Sequence, residues 1–212
     1  TPLFPDVTVG VDLGVRDLAI IAPSDGSWAV KIPNPKRLDA LLKQKKRLGR
    51  EMSRRKKGSI AWTESKNALA KLDHQLADVR ENQWHQLSKA LITTFGRVVV
   101  EDLNVAGLLQ QKGAYGAKTR RRQLADAAPG MLLRQLAEKS TSYRYNCELI
   151  GANRYFPSSK TCHNCGEKNE NLKWETTWDC PECGASHDRD VNAAINLARW
   201  PETSSEENGS TV

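Results

Sequence analysis

Apolar and polar positions change rhythm several times along the chain, and each change predicts an element. Val7 to Leu13 (VTVGVDL) alternates and is rich in β-branched residues, which predicts a strand. Gly14 breaks it, Leu18 to Ala22 (LAIIA) resumes as a second strand, and Pro23-Ser24-Asp25-Gly26 turns into a third from Trp28 to Ile32. Three strands joined by tight turns make an antiparallel meander. After Pro33-Asn34-Pro35 the period lengthens. Leu38, Leu41, Leu42, Leu48 and Met52 recur at helical spacing. Gly58-Ser59 interrupts, and Leu69, Leu72, Leu76, Val79, Trp84, Leu87 and Leu91 mark a second, longer helix. The two predict a helical hairpin over about residues 36–95.

Gly96 stops the second helix, and Arg97 to Leu103 (RVVVEDL) reads as a buried strand with Glu101 towards its carboxyl end. A polar, basic stretch then runs to Arg122 and is expected to be an exposed lid loop. Asp126 is placed to cap a helix with Pro129 in its first turn and Met131, Leu132, Leu136 and Ala137 on its buried side. Cys147 to Ile150 is the last short strand, and a helix is expected from Asp190 to Trp200. The organisation predicted is a core over 1–156 carrying the hairpin, a cysteine-rich insertion over 157–186, a final core helix over 187–200 and a disordered acidic tail over 201–212. Residues 1–6 read as a linker or truncation.

Charge sharpens this. The 212 residues carry a net charge of +7, unevenly spread. Between Lys36 and Lys57 stand eleven Lys or Arg against two acids, with Arg54 and Arg55 at the end of the run. A second cluster, Lys118, Arg120, Arg121 and Arg122, lies in a stretch free of acids from Leu103 to Ala125. Clusters of one sign point to a polyanion partner, most simply nucleic acid. No apolar run approaches the ~20 residues needed to cross a bilayer, so no membrane role is expected.

Four of the five cysteines form Cys162-x-x-Cys165 and Cys180-x-x-Cys183, with fourteen residues between the pairs. Each pair can curl around one ion, and four thiolates close a tetrahedral shell with no open position, so the expected cofactor is a structural Zn²⁺. The segment NLKWETTWD between the pairs reads as a short hairpin, completing a zinc ribbon. His163 and His187 read as bystanders, and Cys147 as a packing residue. Reduced thiolates fit an intracellular, cytoplasmic setting.

Asp12, Glu101 and Asp190 each sit on an apolar element where a lone carboxylate is costly. Brought together, they form a hard-oxygen site for one or two Mg²⁺ or Mn²⁺ ions. Asp188 reads as a cap of the final helix, and Asn192 as a supporting hydrogen-bonder of the carboxylates' metal shell. Ala193 and Ala194 are small enough to let that helix lie close on the sheet.

The succession VGVDLG, VVVEDLN and HDRDVNAAINL, with SSKTCHNCG and WDCPECG before the last, resembles the RuvC-type nuclease region of the TnpB (OrfB) proteins of insertion sequences and of the related compact type V CRISPR effectors. The resemblance covers residues 7–197. It implies an RNase H-like α/β fold with an inserted hairpin and zinc ribbon, and RNA-guided cleavage of DNA at a metal-dependent centre. Asp12, Glu101 and Asp190 match the carboxylates of the three motifs. Single-stranded DNA is the expected occupant of the cleft, held by Lys118, Arg120, Arg121, Arg122, Arg54 and Arg55. Guide RNA is expected to be gripped by an N-terminal half that such proteins carry and that is missing here, and a nucleoid association follows from DNA binding. Two other readings stand beside this one: a non-catalytic nucleic-acid-binding module built on the ribbon and basic hairpin, and a strand-transfer enzyme using a 3′-hydroxyl nucleophile.

Overall fold

In the computed structural model of the chain, which describes residues 1–33, 36–110, 117–142, 144–173 and 175–207, the first strand is the centre of a five-stranded sheet. Strand β1 (Phe4–Leu13) pairs antiparallel with β2 (Asp17–Pro23), which pairs antiparallel with β3 (Val30–Pro33). On its other side β1 pairs parallel with β4 (Phe95–Glu101), and β4 pairs parallel with β5 (Glu148–Ala152). The order is β3-β2-β1-β4-β5. Val9, Val11, Val98 and Val99 are wholly buried, as β-branched residues in strands covered by other elements should be.

The chain divides into two compact units. Residues 34–86 form a helical unit from α1 (Lys36–Ser53) and most of α2 (Ile60–Thr94). Within it Leu38, Leu72 and Leu76 are buried, and Lys45 reaches Asp73 at 2.6 Å. The remaining residues form the sheet-bearing unit. Its helices are α3 (Val105–Gln110), α4 (Ala117–Ala127), α5 (Pro129–Ser140) and α6 (Arg189–Glu207). Among the described residues, no helix is long and apolar enough to cross a membrane.

Helix α6 lies directly on β1. A Cβ placed on Gly10 would stand 2.0 Å from the Ala194 carbonyl oxygen and 2.9 Å from the Leu197 Cβ, so glycine is what allows this approach. Ala193, Ala194, Leu197 and Ala198 are buried on the facing side.

Several elements depart from the sequence pattern. Strand β1 begins at Phe4, inside the segment read as a linker, with the Leu3 N–H bonded to the Thr93 carbonyl at 3.1 Å. The stretch 104–122, expected to be a loop, contains α3 and the start of α4, because no Gly or Pro interrupts Ala117 to Ala127. Its residues 111–116 lie outside the described part. Asp126 sits within α4 and does not cap α5; that position falls to Ala128, at φ 51° and ψ 52°, since the residue before Pro129 is driven from the right-handed helical region. Helix α6 continues past Pro201 to Glu207, where a disordered tail was expected. Proline removes one helical hydrogen bond but keeps a helical φ. Residues 208–212 lie outside the described part.

Candidate functional site

Strand register assembles the first two carboxylates. Parallel β1 and β4 pair Val11 with Val100, so Asp12 and Glu101, one residue further along each strand, emerge side by side at the same carboxyl edge. Ligand sites in parallel sheets form at such edges. Helix α6 brings the third: it crosses β1 at Gly10 and presents Asp190 from its first turn. All three line one cleft of about 480 Å³, together with Arg16, Asp17, Ser158, Ser159, Thr176 and Arg189.

The cleft is electrostatically unsettled. Asp12 is pushed up to about 7, first by burial, then by the charges of Asp190 and Glu101, with Arg189 opposing. Glu101 is raised by burial and then by its neighbour Asp102. Asp190 is met by Arg189, whose Nε and NH2 both lie 3.0 Å from its Oδ1. Carboxylate oxygens that share one cleft and resist ionising together are the kind of hard donor that a small divalent cation accepts.

Asp188 has a different task. Its Oδ1 accepts the backbone N–H groups of Asp190 and Val191, each at 3.1 Å, and its Oδ2 receives the Lys31 ammonium at 2.6 Å. Burial opposes its charge, but the Lys31 bond and the two N–H groups outweigh that and hold it below the usual carboxylate range. It is the N-cap of α6. Asn192 does not face the carboxylates. Two residues beyond Asp190, it points to another side of the helix. It is buried, donates to the carbonyls of Ser158 and Thr161 at 3.2 and 2.8 Å, and accepts the His163 N–H at 3.1 Å. One turn on, Asn196 donates to the same two carbonyls at 2.8 and 2.6 Å, and Arg199 donates to the carbonyls of Ser24 and His163. These side chains fasten the first cysteine knuckle to α6. Asn196 and Arg199 went unread in the sequence, although N-x-x-x-N places both amides on one helix face.

The cysteines form two matching knuckles. The Cys162 carbonyl accepts the Gly166 N–H at 2.8 Å, and the Cys180 carbonyl accepts the Gly184 N–H at 2.9 Å. Both glycines have positive φ, 80° and 72°, where a side chain would be strained. All four sulfur ligand atoms lie within 4.8 Å of one another, with Cys162–Cys183 at 3.7 Å and Cys165–Cys180 at 3.6 Å. A tetrahedron with Zn–S bonds of about 2.3 Å has edges of about 3.8 Å, so the four thiols fit a structural zinc ion. The His187 Nε2 lies 3.1 Å from the Cys162 sulfur, and the ring also packs on Trp178 at 4.8 Å. The ribbon's hairpin is β6 (Thr177–Asp179) with β7 (Ser186–Asp188). It wraps the second knuckle instead of filling the space between the pairs, because Thr177 and Trp178 belong in a strand that needs a partner beyond Cys183. Residue 174 of the expected hairpin lies outside the described part.

The basic residues divide. Lys118 and Arg122 are exposed on α4, four residues apart, with Arg121 half-buried and Arg120 in the same helix. Arg54 is exposed after α1. Arg55 is engaged internally, donating to the Ala61 carbonyl, the Ser65 hydroxyl at 2.6 Å and the Glu51 carboxylate. It closes the turn between α1 and α2.

A mixed sheet with two carboxylates at one edge and a third on the helix laid against it, with a cysteine ribbon fit for zinc spliced in before that helix, is an RNase H-like fold. Comparison with known proteins agrees. The family described as "Probable transposase" (OrfB_IS605) matches residues 3–112, and the Cas12f1-like TNB domain matches residues 130–197. The chain belongs to this OrfB (TnpB) transposase family. It is 45% identical over 199 residues to a Mycobacterium tuberculosis protein named "Putative RNA-guided DNA endonuclease", covering 94% of this chain and 43% of that one. It is 31% identical over 210 residues to Escherichia coli InsQ, which bears the same description, covering 93% and 50%. The chain thus spans half or less of the length of these relatives. A CRISPR-Cas12f ternary complex shares the fold with a TM-score of 0.66 at 18% identity, over 93% of this chain and 39% of that one. A Cas12f1 complex with guide RNA and target DNA does so with a TM-score of 0.61, over 92% and 50%.

Proposed function

We propose that this chain is the nuclease region of an RNA-guided DNA endonuclease, with Asp12, Glu101 and Asp190 as its metal-binding catalytic carboxylates. The observation that carries the reading is their convergence: three acids from β1, β4 and α6 line one cleft at the carboxyl edge of the sheet. Bound there, one or two Mg²⁺ or Mn²⁺ ions supply a polarised water and charge stabilisation at a phosphodiester. The chain's own residues prepare that chemistry. Asp12 and Glu101 are fixed by adjacent strands and cannot separate to relieve their repulsion. Asp190 is fixed by its cap, since Asp188 bonds the N–H of Asp190 itself. Arg189 adds a cation on the cleft wall, within reach of a phosphate that enters beside Asp190.

The scissile strand is single-stranded DNA, held along its phosphates by exposed Lys118 and Arg122 with Arg121, and hydrolysis leaves a 5′-phosphate and a 3′-hydroxyl. The names of the relatives support nuclease action on DNA, and the Cas12f1 complex supports nucleic-acid partners. Guide RNA is held by the part of the longer relatives that lies outside the matched region. The zinc ribbon serves the cleft structurally, supplying Ser158, Ser159 and Thr176 to its wall.

Cleavage of labelled single-stranded DNA in Mg²⁺ by the wild-type chain and by Asp12→Ala tests the assignment. The expected result is loss of cutting with salt-sensitive binding retained. Cutting at the wild-type rate by the variant overturns the assignment, and binding with no metal-dependent product in either protein favours a binding module.

A further inference from the structure

Glu101 belongs to two hollows. One is the carboxylate cleft. The other is a groove of about 510 Å³ at the carboxyl ends of β4 and β5, with Val100, Leu133 and Leu149 among its walls. Its rim is the turn over residues 153–156, which is firmly tied. The Asn153 Oδ1 accepts the Tyr155 N–H at 2.9 Å, and the Asn153 carbonyl accepts the Phe156 N–H at 2.9 Å. Arg154 donates to Asp102 Oδ2 through NH2 at 2.6 Å and Nε at 3.2 Å. A turn this constrained holds the Tyr155 ring out in water at 86% exposure, while the next residue, Phe156, lines the carboxylate cleft.

We propose that this groove is a base-binding subsite, in which Tyr155 stacks an unpaired nucleobase of the DNA strand next to the phosphate held at the carboxylates. The inference rests on the nuclease reading above. Continuity supports it: the groove and the cleft share Glu101, and Tyr155 and Phe156 fall on either side of one short turn. Charge selects a base over a phosphate. Glu101 and Asp102 put acid at the groove, and the nearby Arg154 is spent on Asp102, so an anion gains nothing there. A base finds an aromatic face, apolar walls and the polar edge of the Arg154–Asp102 pair. Stacking accepts any base, which suits an enzyme whose target is chosen elsewhere.

The test uses the zinc-loaded chain and single-stranded oligonucleotides with 2-aminopurine at successive positions, with Ca²⁺ replacing Mg²⁺ so that the strand stays intact. One position is expected to be quenched on binding to wild type and to Tyr155→Phe, and not on binding to Tyr155→Ala. Affinity for the strand should fall about 5- to 150-fold in Tyr155→Ala, as expected for one stacked base. An abasic nucleotide at the quenched position should weaken wild type by a similar factor and leave Tyr155→Ala unchanged. Because the ring is exposed, melting temperatures should match. Equal quenching and affinity in Tyr155→Ala, with cutting in Mg²⁺ preserved, overturn the subsite and leave the nuclease reading standing. Failure of every protein to bind or cut the strand overturns both.

Discussion

The cysteine ribbon and the carboxylate cleft each gather residues of one kind, yet they are built in opposite ways. The four thiols come from residues 162–183, and two knuckles of nearly identical backbone bonding bring them together. The three carboxylates come from residues 12, 101 and 190, and only the sheet register and the seating of α6 on Gly10 unite them. The ribbon's four ligands close a complete shell. The cleft instead leaves its acids lining a hollow of about 480 Å³, with Asp12 pushed up to about 7. The ribbon is a local solution, whereas the carboxylate cleft is a long-range one whose repulsion the rest of the fold restrains.

The largest expected effect breaks the ribbon alone. Cys162→Ser should forfeit most of the ~10–16 kcal/mol of metal-coupled folding, with zinc content falling and the small cluster of Leu172 and Trp178 opening. The far-ultraviolet signal of the five-stranded sheet should survive, because none of its strands lies in the ribbon. Gly10→Ala attacks the cleft from behind. Its Cβ meets the Ala194 carbonyl at 2.0 Å, so α6 must lift, at a cost of about 3 kcal/mol or more by thermal melting, with strand cutting lost.

Burial of Asp12, reinforced by repulsion from Asp190 and Glu101, has a pH signature. An unfolded Asp titrates near ~3.9, and folded Asp12 near about 7, so between these values the folded state holds the extra proton. Metal-free stability should therefore fall as pH rises from about 4 through about 7, by on the order of 4 kcal/mol. Asp12→Asn should remove that slope and melt higher than wild type at pH 8, with the gap closing towards pH 4. An unchanged slope would show that Asp12 is not under this strain. Asn192→Ala weakens the link between the two regions. It removes one of the two amides on the Ser158 and Thr161 carbonyls and the acceptor of the His163 N–H, and should cost about 1–3 kcal/mol, while releasing zinc faster to a chelator. The smallest effect is Asp188→Ala, about 1 kcal/mol for a lost cap, with little added by the exposed Lys31 bridge.

The same contrast explains what could be read from the chain. The cysteine spacing carries its geometry within a few residues, so the cluster is legible without the fold. Asp12 and Glu101 are conspicuous because each is an acid closing a run of β-branched residues, and a shared parallel edge is what such strands offer. The direction of Asn192 was not legible from nearness to Asp190, since two residues along a helix turn a side chain away from its neighbour. Helix α4 was hidden by the glycines before it, although Ala117 to Ala127 holds no breaker. Arg55 reads as one more cation in a basic run, and only the turn between α1 and α2 reveals the Ser65 hydroxyl that engages it. Roles set by the partner across a gap in sequence are the ones that composition and period do not carry.

The most direct measurement is cutting of labelled single-stranded DNA by the wild-type chain in Mg²⁺ or Mn²⁺, beside Glu101→Ala and an EDTA control. The account predicts metal-dependent cutting by wild type, abolished by EDTA and by the substitution, with the variant still folded and zinc-loaded. Equal cutting by Glu101→Ala, or cutting that persists in EDTA, would contradict a nuclease centre built on these carboxylates.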